Sequence, residues 1–207
     1  QFHPPAPMLR AKAGRGPGKI RVGYVSGEFR GQATAYLTAG LYECHDKSKF
    51  EIVAFDNGAR ADGAMRRRLE AAFDRFIPIA QLSDRAAAEA IAGADIDILV
   101  NLNGYFGNHR MGVFACKPAP VQVNFLGFPG TLGAGYMDYI LADRFVIPPD
   151  ETRHYAEKVV YLPDSYQVND SRRHRPQAMP ARSANGLPEA AFVFCNFNMN
   201  YKFTPAM

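Results

Sequence analysis

The residues best suited to chemistry lie between 124 and 143, in "NFLGFPGTLGAGYMDYILAD". Glycine permits positive φ and lets a ligand approach bare main chain, and Pro129 fixes one bend. The loop of Leu126, Gly127, Phe128, Pro129, Gly130 and Thr131 could therefore present the N–H groups of its residues other than Pro129 to a sugar or a phosphate. A tight turn between strands with no ligand has the same composition, so the residues alone leave both readings open. "SGEFRGQA" (26–33) follows an apolar run but lacks G-x-G-x-x-G, which removes the main support for a nicotinamide-dependent oxidoreductase. "DID" (95–97) has the form of a metal-holding D-x-D, but its place at the start of a strand, alternating with Ile96 and Ile98, favours a structural role. The five histidines and three cysteines show no metal-ligand spacing, and no Ser-His-Asp or Cys-His arrangement stands out.

Positioning such loops requires a scaffold, and the pattern supplies one. "KIRVGYVS" (19–26), "FEIVAFD" (50–56), "RFIPIA" (75–80), "DIDILVNLNG" (95–104), "VQVNFLG" (121–127) and "EKVVYLPDSY" (157–166) read as strands. "ATAYLTAGLYE" (33–43), "DGAMRRRLEAAFD" (62–74), "DRAAAEAIAGA" (84–94) and "HRMGVFACK" (109–117) read as helices, the third capped by Ser83 and stopped by Gly93. Alternating strands and helices predict β-α-β units and an α/β, Rossmann-like parallel sheet with helices on both faces. Ligands on such sheets sit beyond the carboxyl ends of the strands, so the loops after Val25, Leu102 and Leu126 form one candidate wall.

Length and composition describe an ordinary globular protein, with 207 residues, 47% hydrophobic and 21% charged. The net charge of +4 favours anionic partners in general. Nucleic acid is not expected, because the basic clusters "RRR" (66–68) and "RRHRPQAMPAR" (172–182) read as a solvated helix face and a polar linker. No run reaches membrane-spanning length, no signal peptide is recognisable, and the separated cysteines fit a reducing, cytoplasmic setting. The organisation expected is a linker over 1–18, a Rossmann-like domain over 19–165, a linker over 166–190, and from 191 to 207 the start of a second domain with a fresh strand at Ala191. A first residue of Gln fits a piece of a longer chain.

"LGFPGTLGAGYMDYILAD" closely resembles the L-G-Y-P-G-T-x-G-x-x-x-x-D-Y-I-x-x-D signature of the catalytic region of O-linked N-acetylglucosamine transferases, the family that includes plant SPINDLY proteins. "KIRVGYVSGEF", "DILVNLNGY", "KPAPVQVNFLG", "YAEKVVYLP" and "FCNFNMNYKFTP" agree in the same order, so the likeness runs from Lys19 to the end. The resemblance implies a bacterial-type GT-B glycosyltransferase: two Rossmann-like domains facing across a cleft, no catalytic metal or cofactor, and transfer from UDP-N-acetylglucosamine to Ser or Thr of protein acceptors with inversion. Tetratricopeptide repeats upstream are part of the pattern. By the same resemblance Lys202 contacts the donor diphosphate, Leu126, Gly127 and Pro129 line the sugar pocket, and Asn101, Tyr105 and Arg110 lie at the cleft. Asp138, Asp143 and Glu157 also match, with structural hydrogen bonding as their expected role.

Two positions depart from the pattern. The family's F-x-x-H histidine, close to the acceptor, is replaced by Gln32, which cannot take a proton near neutral pH. Met199 stands where animal members carry a glutamine, losing a possible diphosphate hydrogen bond. The departures keep two alternatives in view: a decayed transferase serving as a protein-binding module, and a SPINDLY-type enzyme using GDP-fucose.

Overall fold

A computed structural model of the chain describes residues 18–173 and 177–197. The chain divides into two compact units, Gln1–Arg172 and Arg173–Met207. In the first, the elements run β1 (Ile20–Ser26), α1 (Ala33–Glu43), β2 (Phe50–Asp56), α2 (Ala64–Ala72), β3 (Arg75–Pro78), α3 (Asp84–Gly93), β4 (Ile98–Asn101), α4 (Met111–Ala115), β5 (Val121–Asn124), β6 (Tyr139–Ala142) and β7 (Lys158–Tyr161). All seven strands pair in parallel, in the order β3-β2-β1-β4-β5-β6-β7. The chain builds outward from β1 in one direction, then returns to β4 and builds in the other, which places a switch point between β1 and β4.

Strand alternation produces two cores. Val22, Tyr24, Ile52 and Ala54 face Ala35, Ala39 and Tyr42 of α1 and Leu69 and Ala72 of α2. Val25, Val53, Phe55 and Leu99, one residue out of phase, face Ala87, Ala88 and Ile91 of α3 and Met111, Val113 and Phe114 of α4. The central strands β1 and β2 bury both sides over most of their length, which is why they read as nearly unbroken apolar runs. The first face also holds an aromatic cluster in which Tyr24, Phe29, Tyr42, Phe73 and Phe76 meet mostly edge to face.

Several boundaries differ from the sequence reading. Ser83 does cap α3, its Oγ accepting the N–H of Ala86 at 3.2 Å. Gly93 does not stop that helix; it is the last helical residue, and Asp95 takes the left-handed conformation at φ 52°. Asp95 and Asp97 both serve the neighbouring strand, Asp95 ion-pairing with Arg21 at 3.5 Å and Asp97 accepting the Arg21 N–H at 2.7 Å. The "RRR" run is not a solvated face. Arg66 pairs with Asp56 at 2.5 Å and Glu70 at 2.7 Å and lies over the Phe76 ring, Arg68 holds Glu43 and Asp170, and only Arg67 is exposed.

The crossover from β5 to β6 has no helix. Residues 125–138 cross the sheet as an irregular loop, and its Leu132, Ala134, Tyr136 and Met137 fill the core where helical side chains would otherwise sit. After β7, Leu162, Tyr166 and Val168 pack back on the α1–α2 face, and Arg68 fixes Asp170 there at 2.6 Å.

In the second unit, residues 183–185 make one 3-10 turn, ended by Gly186 at φ 67°, and Arg182 donates to the carbonyls of Pro188 and Ala191. The strand expected from Ala191 is not formed over residues 191–197. A strand needs a ladder partner, the described residues of this unit supply none, and Phe192, Phe194 and Phe197 stand exposed.

Candidate functional site

Four neighbouring strands end on buried polar residues: Asp56 on β2, Ser26 on β1, Asn101 on β4 and Asn124 on β5. Ser26 is the register partner of Asp56, and Asn101 that of Asn124. The result is a polar row along the carboxyl edge of the sheet, on either side of the switch point.

Asparagine side chains weld the loops above this row. Asn101 Oδ1 accepts the N–H groups of Asn103 (3.1 Å) and Gly104 (3.0 Å), which shapes the turn leaving β4. Asn103 Oδ1 then accepts the N–H of Gly27 at 3.0 Å, joining the β4 loop to the β1 loop across the switch point. Asn57, just past β2, donates to the Asn108 carbonyl at 2.6 Å. Asn124 donates to the carbonyls of Phe128 at 2.9 Å and Gly130 at 3.4 Å. The loops after β1, β4 and β5 thus form a connected surface.

Close packing explains much of the glycine content. A Cβ on Gly127 would lie 2.1 Å from the Leu102 carbonyl oxygen, so the β5 loop passes over the β4 loop with main chain against main chain. Gly104, at φ 56°, could not carry a Cβ either, since it would meet the Phe128 Cβ at 2.4 Å. Leu126 is held at φ 74°, an uncommon conformation for a non-glycine residue, next to this crossing. Tyr105 supports the loop from the β4 side, its hydroxyl donating to Leu132 O at 2.8 Å and its ring meeting Phe128 edge-on at 5.7 Å. Pro129 is exposed, and its carbonyl accepts the Tyr155 hydroxyl at 3.4 Å. Thr131 Oγ1 donates to Glu157 at 2.7 Å, while the other Glu157 oxygen takes the Leu132 N–H at 2.7 Å. Among the described residues, no acceptor takes the N–H of Phe128, Gly130 or Thr131.

Arg110, N-terminal to α4, is fully engaged. Its guanidinium meets Asp84 at 2.5 Å, Asn57 at 2.8 Å, and the carbonyls of Ile79 (3.3 Å) and Leu82 (2.9 Å). It binds the β2, β3 and β4 loops together. Gln32 is exposed at the N-cap of α1 and makes no capping bond with its side chain. Met199 and Lys202 lie outside the described residues.

The three matching carboxylates are structural. Asp138 joins Lys117 at 2.5 Å and the Gln122 N–H at 2.7 Å. Asp143 accepts the N–H groups of Tyr166, Val146 and Phe145, which hold its carboxyl below the ordinary carboxylate value. Glu157 is buried beneath Thr131. Among the described residues no three His, Cys, Asp or Glu side chains gather as a metal site, and no helix is long and apolar enough to cross a membrane.

The residues missed from sequence are Asn57, Asn103 and Asn124. For Asn124 a signal was present: an asparagine closing an apolar strand run, as at Asn101.

A doubly wound parallel sheet with interlocked loops along its carboxyl edge defines a Rossmann-like lobe. More particularly, the chain belongs to glycosyl transferase family 41, which residues 3–179 match. It is 38% identical over 192 residues to a probable UDP-N-acetylglucosamine–peptide N-acetylglucosaminyltransferase SEC of Arabidopsis thaliana, covering 90% of this chain and 20% of the relative. It is 35% identical over 153 residues to the UDP-N-acetylglucosamine–peptide N-acetylglucosaminyltransferase of Caenorhabditis elegans, covering 73% and 13%. Among solved structures, a mutant O-GlcNAc transferase of Thermobaculum terrenum superposes with a TM-score of 0.70 at 36% identity, over 79% of this chain and 31% of that one. The chain therefore spans about a fifth or less of the length of these curated relatives.

Proposed function

We propose that this chain forms one lobe of a protein O-glycosyltransferase that moves N-acetylglucosamine from UDP-N-acetylglucosamine to Ser or Thr of protein acceptors, with inversion and without a metal. The observation that carries the reading is the loop Leu126–Thr131, which lies at the carboxyl edge of a family 41 lobe with main-chain donors that no acceptor among the described residues takes. Inverting transfer needs the acceptor oxygen to attack the anomeric carbon as the bond to the diphosphate breaks; charge grows on the leaving group and the hydroxyl proton passes to a base. The N–H groups of Phe128, Gly130 and Thr131 suit hydroxyl and carbonyl oxygens of the sugar, and Lys202 is assigned to the diphosphate through its motif "NYKFTP". On this reading, chain beyond the 207 residues supplies the facing lobe and the upstream repeats that grip the acceptor, and the protein works in the cytoplasm.

Gln32 favours a second reading, a lobe that has lost turnover and kept protein binding, because an amide in the β1 loop cannot accept the hydroxyl proton. Calorimetric titration of the full-length protein with UDP-N-acetylglucosamine and with GDP-fucose tests both the fold's use and the donor. Binding of the first supports the proposal, binding of the second alone reassigns the donor, and binding of neither defeats the transferase reading.

A further inference from the structure

We infer that Asn124 is a positioning residue for the sugar-side loop, its carboxamide setting the direction in which the Phe128–Thr131 main chain offers its donors. The inference rests on the reading above for what the loop binds, though the positioning itself is a property of the fold.

Asn124 closes β5 and is completely buried. Its amide nitrogen reaches the Phe128 carbonyl at 2.9 Å and, more loosely, the Gly130 carbonyl at 3.4 Å. All peptide bonds among the described residues are trans, and a trans peptide sends its C=O and N–H to opposite sides. Turning the Gly130 carbonyl inward onto Asn124 therefore turns the Thr131 N–H away from the sheet. That donor, with those of Phe128 and Gly130, has no acceptor among the described residues.

A second observation separates this role from simple packing. Asn124 Oδ1 is buried and finds no hydrogen-bond partner among the described residues. A buried acceptor left unpaired lowers stability, whereas an apolar side chain of similar size would avoid the loss. Leucine would avoid that loss but would leave the Phe128 and Gly130 carbonyls without this donor, so the two effects on stability oppose each other; what asparagine contributes is the grip on two carbonyls. The other end of the loop is tied separately, through Thr131 and Leu132 to Glu157, so Asn124 governs the span between them.

The test uses the full-length protein carrying Asn124→Leu, with amide hydrogen exchange over residues 126–133, thermal melting, and titration with UDP-N-acetylglucosamine and GDP-fucose. Exchange in that segment should speed by about tenfold, and affinity for whichever nucleotide the parent binds should fall by about tenfold, while the melting temperature stays within a few degrees. Unchanged exchange and affinity, whatever the melting temperature does, overturn the inference. Faster exchange in a parent that binds neither nucleotide supports the positioning role while defeating the transferase proposal. Should Asn124→Leu fail to fold, Asn124→Ala removes the same N–H donor without adding bulk, and the same changes in exchange and affinity are expected of it.

Discussion

The main chain at Gly127 passes so close to Leu102 that a single added carbon would sit 2.1 Å from the Leu102 carbonyl oxygen. The two residues belong to the loops of adjacent strands β5 and β4, and their contact fixes the height of one loop over the other. Gly127→Ala must push the loops apart or refold one of them. We expect a loss of about 2 kcal/mol or more, read as a lower denaturation midpoint with an unchanged slope.

Arg110 ties Asp84, Asn57 and two carbonyls into one knot beneath the β4 loop. Arg110→Ala leaves the Ile79 and Leu82 carbonyls without this donor and should cost about 2 kcal/mol. Arg110→Lys should recover less than half, because one ammonium cannot span the fork that the guanidinium fills. Chemical denaturation of both variants measures the difference.

Arg68 and Arg172 both touch acidic partners, with opposite consequences. Arg68 neutralises Asp170, whose side chain is only 3% exposed, so Arg68→Met should destabilise by about 3 kcal/mol. Arg172 is 66% exposed where it meets Glu43, and Arg172→Ala should change stability by less than about 0.5 kcal/mol. Equal effects in a melting series would contradict the assignment of the 162–172 strap to the first unit.

His45 gives the fold a pH dependence. Its Nε2 meets the Tyr24 hydroxyl at 2.9 Å, and burial, then the Lys47 ammonium, hold its pKa below the ordinary 6.5, against a smaller opposing pull from Asp74. A base with a depressed folded pKa favours the unfolded state once that state protonates. Its contribution is full above pH 6.5 and is lost as pH falls from there through the lower folded value. Stability measured between about pH 7.5 and 5 should decline more steeply in the parent than in His45→Gln; identical slopes would show that His45 is not responsible.

The regular parts of the fold were legible because local signals coincide there. The α1 and β2 spans match the sequence reading residue for residue, and Ser83 caps α3 as its position implies. Where tertiary contacts decide, the sequence is silent. Composition alone does not distinguish a glycine that exposes main chain to a ligand from one that, like Gly127, makes room for a neighbouring carbonyl. Arg66 and Arg68 resemble solvated charges until β2, α1 and the strap bring Asp56, Glu43 and Asp170 beside them. The asparagines show the same limit. Asn103 acts on Gly27, whose proximity depends on β1 lying beside β4, and that order is written in no local pattern; Asn124 acts within its own loop, whose path is set by the crossing over Leu102.

The most direct measurement is transfer itself: full-length protein incubated with UDP-N-acetylglucosamine and a Ser- and Thr-containing protein acceptor, with the modified hydroxyl located by mass spectrometry. The account predicts N-acetylglucosamine on Ser or Thr oxygen, reduced in Asn124→Leu and in Gly127→Ala. Binding of UDP-N-acetylglucosamine without any transfer would contradict catalysis and leave a binding lobe. Neither binding nor transfer with this donor or with GDP-fucose would contradict the central claim.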